Sequence, residues 1–169
     1  MRNREYHNIR AIFNREMLTT FNSPMALIFF FVFAATSSYF FTSPFFVIGQ
    51  SDLRGLFSII PLLYLILIPA ITMSMISRDW NLGTMEIMTT LPITDYEYVL
   101  GKFFSAITLV ITSLSFTIVH VITIYRFGTE IDTGAIICGY FGLILLGAFY
   151  SSIGIFASSL TDNQVYALL

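Results

Sequence analysis

Residues 55–77, GLFSIIPLLYLILIPAITMSMIS, contain no Lys, Arg, Asp or Glu. A helix needs about 20 mostly apolar residues to cross the hydrocarbon core of a bilayer, so this stretch is long enough to span one. Working outward, residues 17–51, 103–125 and 133–161 are equally free of charge. Backbone groups inside a bilayer must bond within their own segment, and the alternation of a barrel strand is absent, so these stretches predict helices. Four spans follow, at 24–41, 56–76, 98–125 and 135–160. Ser43-Pro44 and Gly49-Gln50-Ser51 read as the connection between the first two. Pro61 and Pro69 each remove a hydrogen bond from the second span and predict a bend there.

Composition agrees. The chain of 169 residues is 56% hydrophobic and 11% charged, against roughly 25% charged in an average soluble domain. A net charge of −2 with no basic run excludes nucleic acid as a partner. The single cysteine, Cys138, excludes an intrachain disulfide. The first 16 residues carry Arg2, Arg4, Arg10, Arg15, Glu5 and Glu16, too polar for a secretory signal peptide. Lys and Arg placement sets orientation. Those four arginines, Arg78 and Lys102 fall on one side, Arg54 and Arg126 on the other, which predicts a cytoplasmic N-terminus.

Residues 2–21 read as an interfacial helix, with Tyr6, Ile9, Phe13 and Met17 at helical spacing; the alternative is a disordered tail. Asn22-Ser23-Pro24 breaks the chain before the first span. At the other end, Thr161-Asp162-Asn163-Gln164 is a polar break. Residues 165–169, VYALL, read as the start of a fifth span cut short, so the chain reads as a fragment.

Chemistry-bearing motifs are few. His120 lies inside the third span, where an ionisable residue suggests function by default, against the plainer reading of a neutral imidazole bonded to a neighbouring helix. There is no cluster of His or Cys to hold a metal, no catalytic set, and no cofactor motif. Gly101-Lys102 is followed by Phe103, and position 96 is Tyr, so there is no phosphate-binding loop. ATP hydrolysis by this chain is not expected. None of the four spans as drawn holds an acid, which argues against a carboxylate ion relay. In the fourth span, Gly147, Ser151, Gly154 and Ser158 share one face and predict close helix packing, within the chain or between subunits.

Between the second and third spans lies SRDWNLGTMEIMTTLPITDYEYVLGKFF (77–104). Gly83-Thr84 can start a short helix over 84–91, which Leu91-Pro92 stops. Glu86 near its start suits the helix dipole. Thr94-Asp95-Tyr96-Glu97 is a capping box opening the next helix. A short helix carrying Met85, Ile87, Met88 and Leu91 suits a groove on a soluble partner, or equally a resting place on lipid headgroups.

The segment Gly83-Thr84-Met85-Glu86, Leu91-Pro92, then Leu100-Gly101-Lys102 resembles permease subunits of ABC-2 type transporters. More narrowly, it is similar to the branch that includes gliding-motility-type permeases. Ala11 to Glu16 with Phe21 to Pro24 resembles the N-terminal elbow of that branch, residues 51–57 its outer loop, and 155–164 its fourth-span exit. The resemblance implies an all-α polytopic bundle in the cell inner membrane, a fragment of a six-span permease. Its implied partners are a second permease half and a separate ATP-binding subunit. It makes 84–91 the coupling helix, with Gly83, Thr84, Glu86, Ile87, Met88, Leu91 and Pro92 at the contact. Two readings compete: a membrane scaffold that recruits a soluble partner without transport, and an intramembrane enzyme built on His120, Tyr125 and Cys138.

Overall fold

A computed structural model describes residues 2–48, 53–128 and 131–160. Among these residues every regular element is helical: α1 (Arg2–Phe21), α2 (Pro24–Thr42) running into a π-helical turn (Ser43–Ile48), α3 (Arg54–Thr72), α4 (Ser74–Asn81), α5 (Thr84–Thr90), α6 (Asp95–Phe127) and α7 (Thr133–Ser159). Four stretches are long and apolar enough to cross a membrane: Pro24–Phe46, Arg54–Asn81, Asp95–Phe127 and Thr133–Ser159. The chain is an all-α polytopic helical bundle. Residues 165–169, read as a fifth span, lie outside the described residues.

The bundle closes on one face of each helix. Leu56, Ile60, Tyr64 and Ile68 of α3 recur every four residues and are almost wholly buried, as are Phe29, Phe33 and Phe41 of α2 and Leu109, Val110 and Leu114 of α6. Phe33 stacks on Tyr64 with ring centroids 5.8 Å apart. The opposite faces expose Leu27, Phe31, Phe141, Phe149 and Phe156. Water would penalise so many exposed apolar side chains, whereas lipid accepts them.

Three features depart from the sequence expectations. Ser43-Pro44, read as connection, lies in a helical turn of the first span. Proline has no amide to donate, and where π-helix occurs it is mostly as a single turn within an α-helix, as here. The second and third spans begin and end beyond 56–76 and 98–125. Arg78, Asp79 and Glu97, read as loop charges, therefore sit in helices that continue the spans. Finally, α1 buries Ile12, Glu16 and Thr20, while Tyr6 of the apolar stripe is exposed. Its buried face includes a carboxylate because α6 supplies a partner for it.

Two glycines set distances. A Cβ on Gly101 would lie 2.6 Å from Cγ2 of Ile12 and 3.3 Å from the Ile9 carbonyl, so α1 rests directly on α6 there. Gly83, at φ +68°, ends α4 in the left-handed conformation that closes many helices and starts the turn into α5.

Candidate functional site

A group of charges gathers at one end of the bundle, where α1, α4, α5 and the first turns of α6 meet. Asp79, 2% exposed, receives four donors. Its Oδ1 accepts from Arg15 Nη2 at 2.8 Å and from the Thr84 hydroxyl at 2.9 Å. Its Oδ2 accepts from the Tyr98 hydroxyl and from Lys102 Nζ, both at 2.7 Å. Lys102 is fully buried. Its ammonium has three N–H bonds to give, and three acceptors surround it: Glu16 Oε1 at 2.8 Å, the Met75 carbonyl at 2.7 Å and Asp79 Oδ2. Nζ also lies 4.9 Å from the centre of the Tyr98 ring. The second oxygen of Glu16 faces Arg78 Nη2 at 3.6 Å, an ion pair longer than a hydrogen bond.

Local sequence prepares this meeting. Gly101 lets α1 close on α6 so that Glu16 reaches Lys102 one residue further on. The capping box forms with both of its bonds: Glu97 donates its backbone amide to the Thr94 hydroxyl and accepts the Thr94 amide on its side chain. Asn8 of α1 donates to the same Glu97 carboxylate at 3.2 Å. The start of α6 is thereby fixed against α1, with Tyr98 and Lys102 one helical turn apart on the side that meets Asp79.

A buried ion set is costly to desolvate and strongly penalises removal of one member. It ties together four segments, and the bond from Thr84 makes the first residue of α5 one of its members.

The residues expected to touch a partner sit at the outer edge of this cluster. Thr84 anchors α5 to Asp79, while Gly83, Glu86, Leu91 and Pro92 are exposed, along with Trp80 and Leu82. The helix ends at Thr90, so Leu91 lies just past it in the turn. Ile87 and Met88 lie within α5. The small-residue face of α7 is buried throughout. A Cβ on Gly147 would lie 2.6 Å from Val110 Cγ1, and one on Gly154 would run into the Thr72 hydroxyl. Ser151 bonds its own helix at Gly147, and the Ser158 hydroxyl accepts the backbone amides of Ile76 and Ser77 at 3.0 and 3.1 Å. Small residues here bring α7 against α3, α4 and α6 of the same chain.

His120, Tyr125 and Cys138 keep separate company. His120 Nε2 is 3.2 Å from the Ser38 hydroxyl and its ring lies against Phe41. Tyr125 pairs with Thr133, and Cys138 is exposed. No group of three His, Cys, Asp or Glu able to hold a metal occurs among the described residues.

Residues 50–169, which take in α3 to α7, match the family described as ABC-2 family transporter protein. The chain belongs to the ABC-2 transporter family. No curated protein and no solved structure matches it. An ABC-2 permease is the membrane component of its transporter and not the ATPase, and this one is a multi-pass membrane protein with four spanning helices in the described residues. The permease residues that sequence reasoning missed are the pairings themselves. Arg15, Glu16, Asp79 and Lys102 were each visible as charges, yet nothing local pairs α1 with α4 and α6.

Proposed function

We propose that this permease takes up the motion of a separate ATP-binding subunit through α5 and delivers it to the spans through the Asp79–Lys102 cluster. One observation carries the reading: Thr84, the first residue of α5, is bonded to the carboxylate that also holds α1 and α6. A push on α5 meets no slack before it reaches the second and third spans. Gly83, Glu86, Ile87, Met88, Leu91 and Pro92 form the contact with the partner, and exposed Trp80 and Leu82 extend it. Sequence charge placement favours a cytoplasmic N-terminus, which puts α5 on the ATP side of the cell inner membrane. The chain forms one half of the translocation path with a second permease half. Within the family we assign it to the gliding-motility-type branch, on the segment from Gly83 to Lys102.

The deciding experiment is a mild-detergent purification of the full chain from its native membrane, with ATPase activity assayed on the eluate. Co-purifying activity that disappears when residues 84–91 are replaced supports the reading. An eluate without ATPase removes it in favour of a scaffold.

A further inference from the structure

A cavity of about 160 Å³ is lined by Thr20, Ser23, Met25, Ile71, Ser74 and Arg78. It lies where the end of α1, the start of α2 and the junction of α3 with α4 meet. Ser23 caps the first span and Ser74 opens the last helix of the second. Liquid water occupies roughly 30 Å³ per molecule, so the space exceeds a single ordered water.

Its lining is divided. Met25 and Ile71 make one apolar wall. The polar wall holds two groups whose bonding capacity the protein leaves open. Thr20 is 3% exposed, yet its hydroxyl bonds to nothing among the described residues. Arg78 has Glu16 Oε2 as its carboxylate neighbour at 3.6 Å, while the short bonds of Glu16 and Asp79 go to Lys102 and Arg15. Three cations, Arg15, Arg78 and Lys102, thus face two carboxylates, Glu16 and Asp79, and Arg78 is the one with no hydrogen bond to either. The Ser23 and Ser74 hydroxyls donate to the Thr20 and Ile71 carbonyls; the Ser74 oxygen is left to accept, and the Ser23 oxygen, which already takes the Ala26 amide, keeps one further lone pair.

We propose that this cavity binds the phosphate of an anionic, hydroxylated phospholipid of the cytoplasmic leaflet. Arg78 donates to the phosphate oxygens as a planar fork, and Thr20 supplies a second donor. The serine oxygens accept from the headgroup hydroxyls, and Met25 and Ile71 meet the first acyl methylenes. Free phosphate shares the chemistry of the polar wall but has no use for the apolar one. The proposal rests on the membrane orientation given above and not on the ATP-binding subunit, so its test needs no ATPase. Its failure leaves the coupling reading untouched, and the reverse also holds.

The test is native mass spectrometry of the full chain in mild detergent, loaded with phosphatidylglycerol or with phosphatidylcholine, with inorganic phosphate titrated calorimetrically in a third arm. The expected result is one phosphatidylglycerol retained per chain, in about fivefold preference over phosphatidylcholine, the scale of one arginine at an anionic surface. Arg78→Gln and Thr20→Val should each lower that preference, and Arg78→Lys should keep part of it. Thermal unfolding of each variant separates a lost site from a lost fold. Thr20→Val decides the matter should Arg78→Gln not fold. Equal retention of the two lipids, or a preference unchanged in the folded variants, overturns the proposal. Phosphate binding without any lipid preference also overturns it.

Discussion

Lys102 and Glu16 are 86 residues apart in sequence, and their charged atoms lie 2.8 Å apart with neither side chain reaching solvent. Removing one partner strands the other. Lys102→Met should therefore destabilise the permease by about 3–5 kcal/mol. The double variant Glu16→Gln, Lys102→Met should recover part of that loss. Thermal unfolding in detergent measures both, and a Lys102→Met variant as stable as the parent would show the pair to be dispensable.

Gly101 sets the approach of α1 to α6. Gly101→Ala places a methyl group against Ile12 and the Ile9 carbonyl. Expected is a shift of α1 that lengthens the Glu16–Lys102 bond, with a loss of about 1–3 kcal/mol typical of overpacking. Hydrogen exchange should rise along residues 9–16 before it rises in α3.

These two sites mark how far the sequence could be read. The spans were legible because lipid demands long uncharged helices, and that rule acts locally. The short helix after Gly83 and the Thr94–Glu97 capping box were legible for the same reason, since each is decided within a few residues. The ion cluster was not. The two bonds that tie in α1, Arg15–Asp79 and Glu16–Lys102, join positions 64 and 86 residues apart, and only the fold brings them together. Glu16 looked like one more charge on a basic helix. Asp79 looked like a loop residue because the second span was ended at position 76, short of the helix that carries it. The turn at Ser43-Pro44 failed for another reason: proline marks a break in most contexts, and here the helix widens around it.

The proposed contact of α5 with an ATP-binding subunit predicts a charge-sensitive interface. Glu86→Arg should reduce recovery of the partner in a pulldown by about tenfold, the effect of 1.4 kcal/mol, while membrane insertion and thermal stability stay near the parent values. Unchanged recovery would take Glu86 out of the interface.

Two glycines of α7 offer a paired comparison. Gly154→Ala drives a methyl group into the Thr72 hydroxyl beside the Pro69 backbone. It should cost about 1–3 kcal/mol. Gly142 has nothing within 4 Å of the same position. Gly142→Ala should be neutral, or stabilising by up to about 1 kcal/mol through helix propensity. Unfolding of the two variants side by side checks the direction, and equal effects would mean that α7 does not pack as closely as its small residues imply.

The second span is interrupted at Met73, and the helix that resumes there does not cap itself: the amides of Ile76 and Ser77 hang on a hydroxyl of the fourth span. The hinge and its jamb thus belong to different spans. A swing of α4 about Met73 would either carry the fourth span with it as a single door leaf or take two backbone amides away from that acceptor. Any movement at that junction would have a fixed width, two helices rather than one.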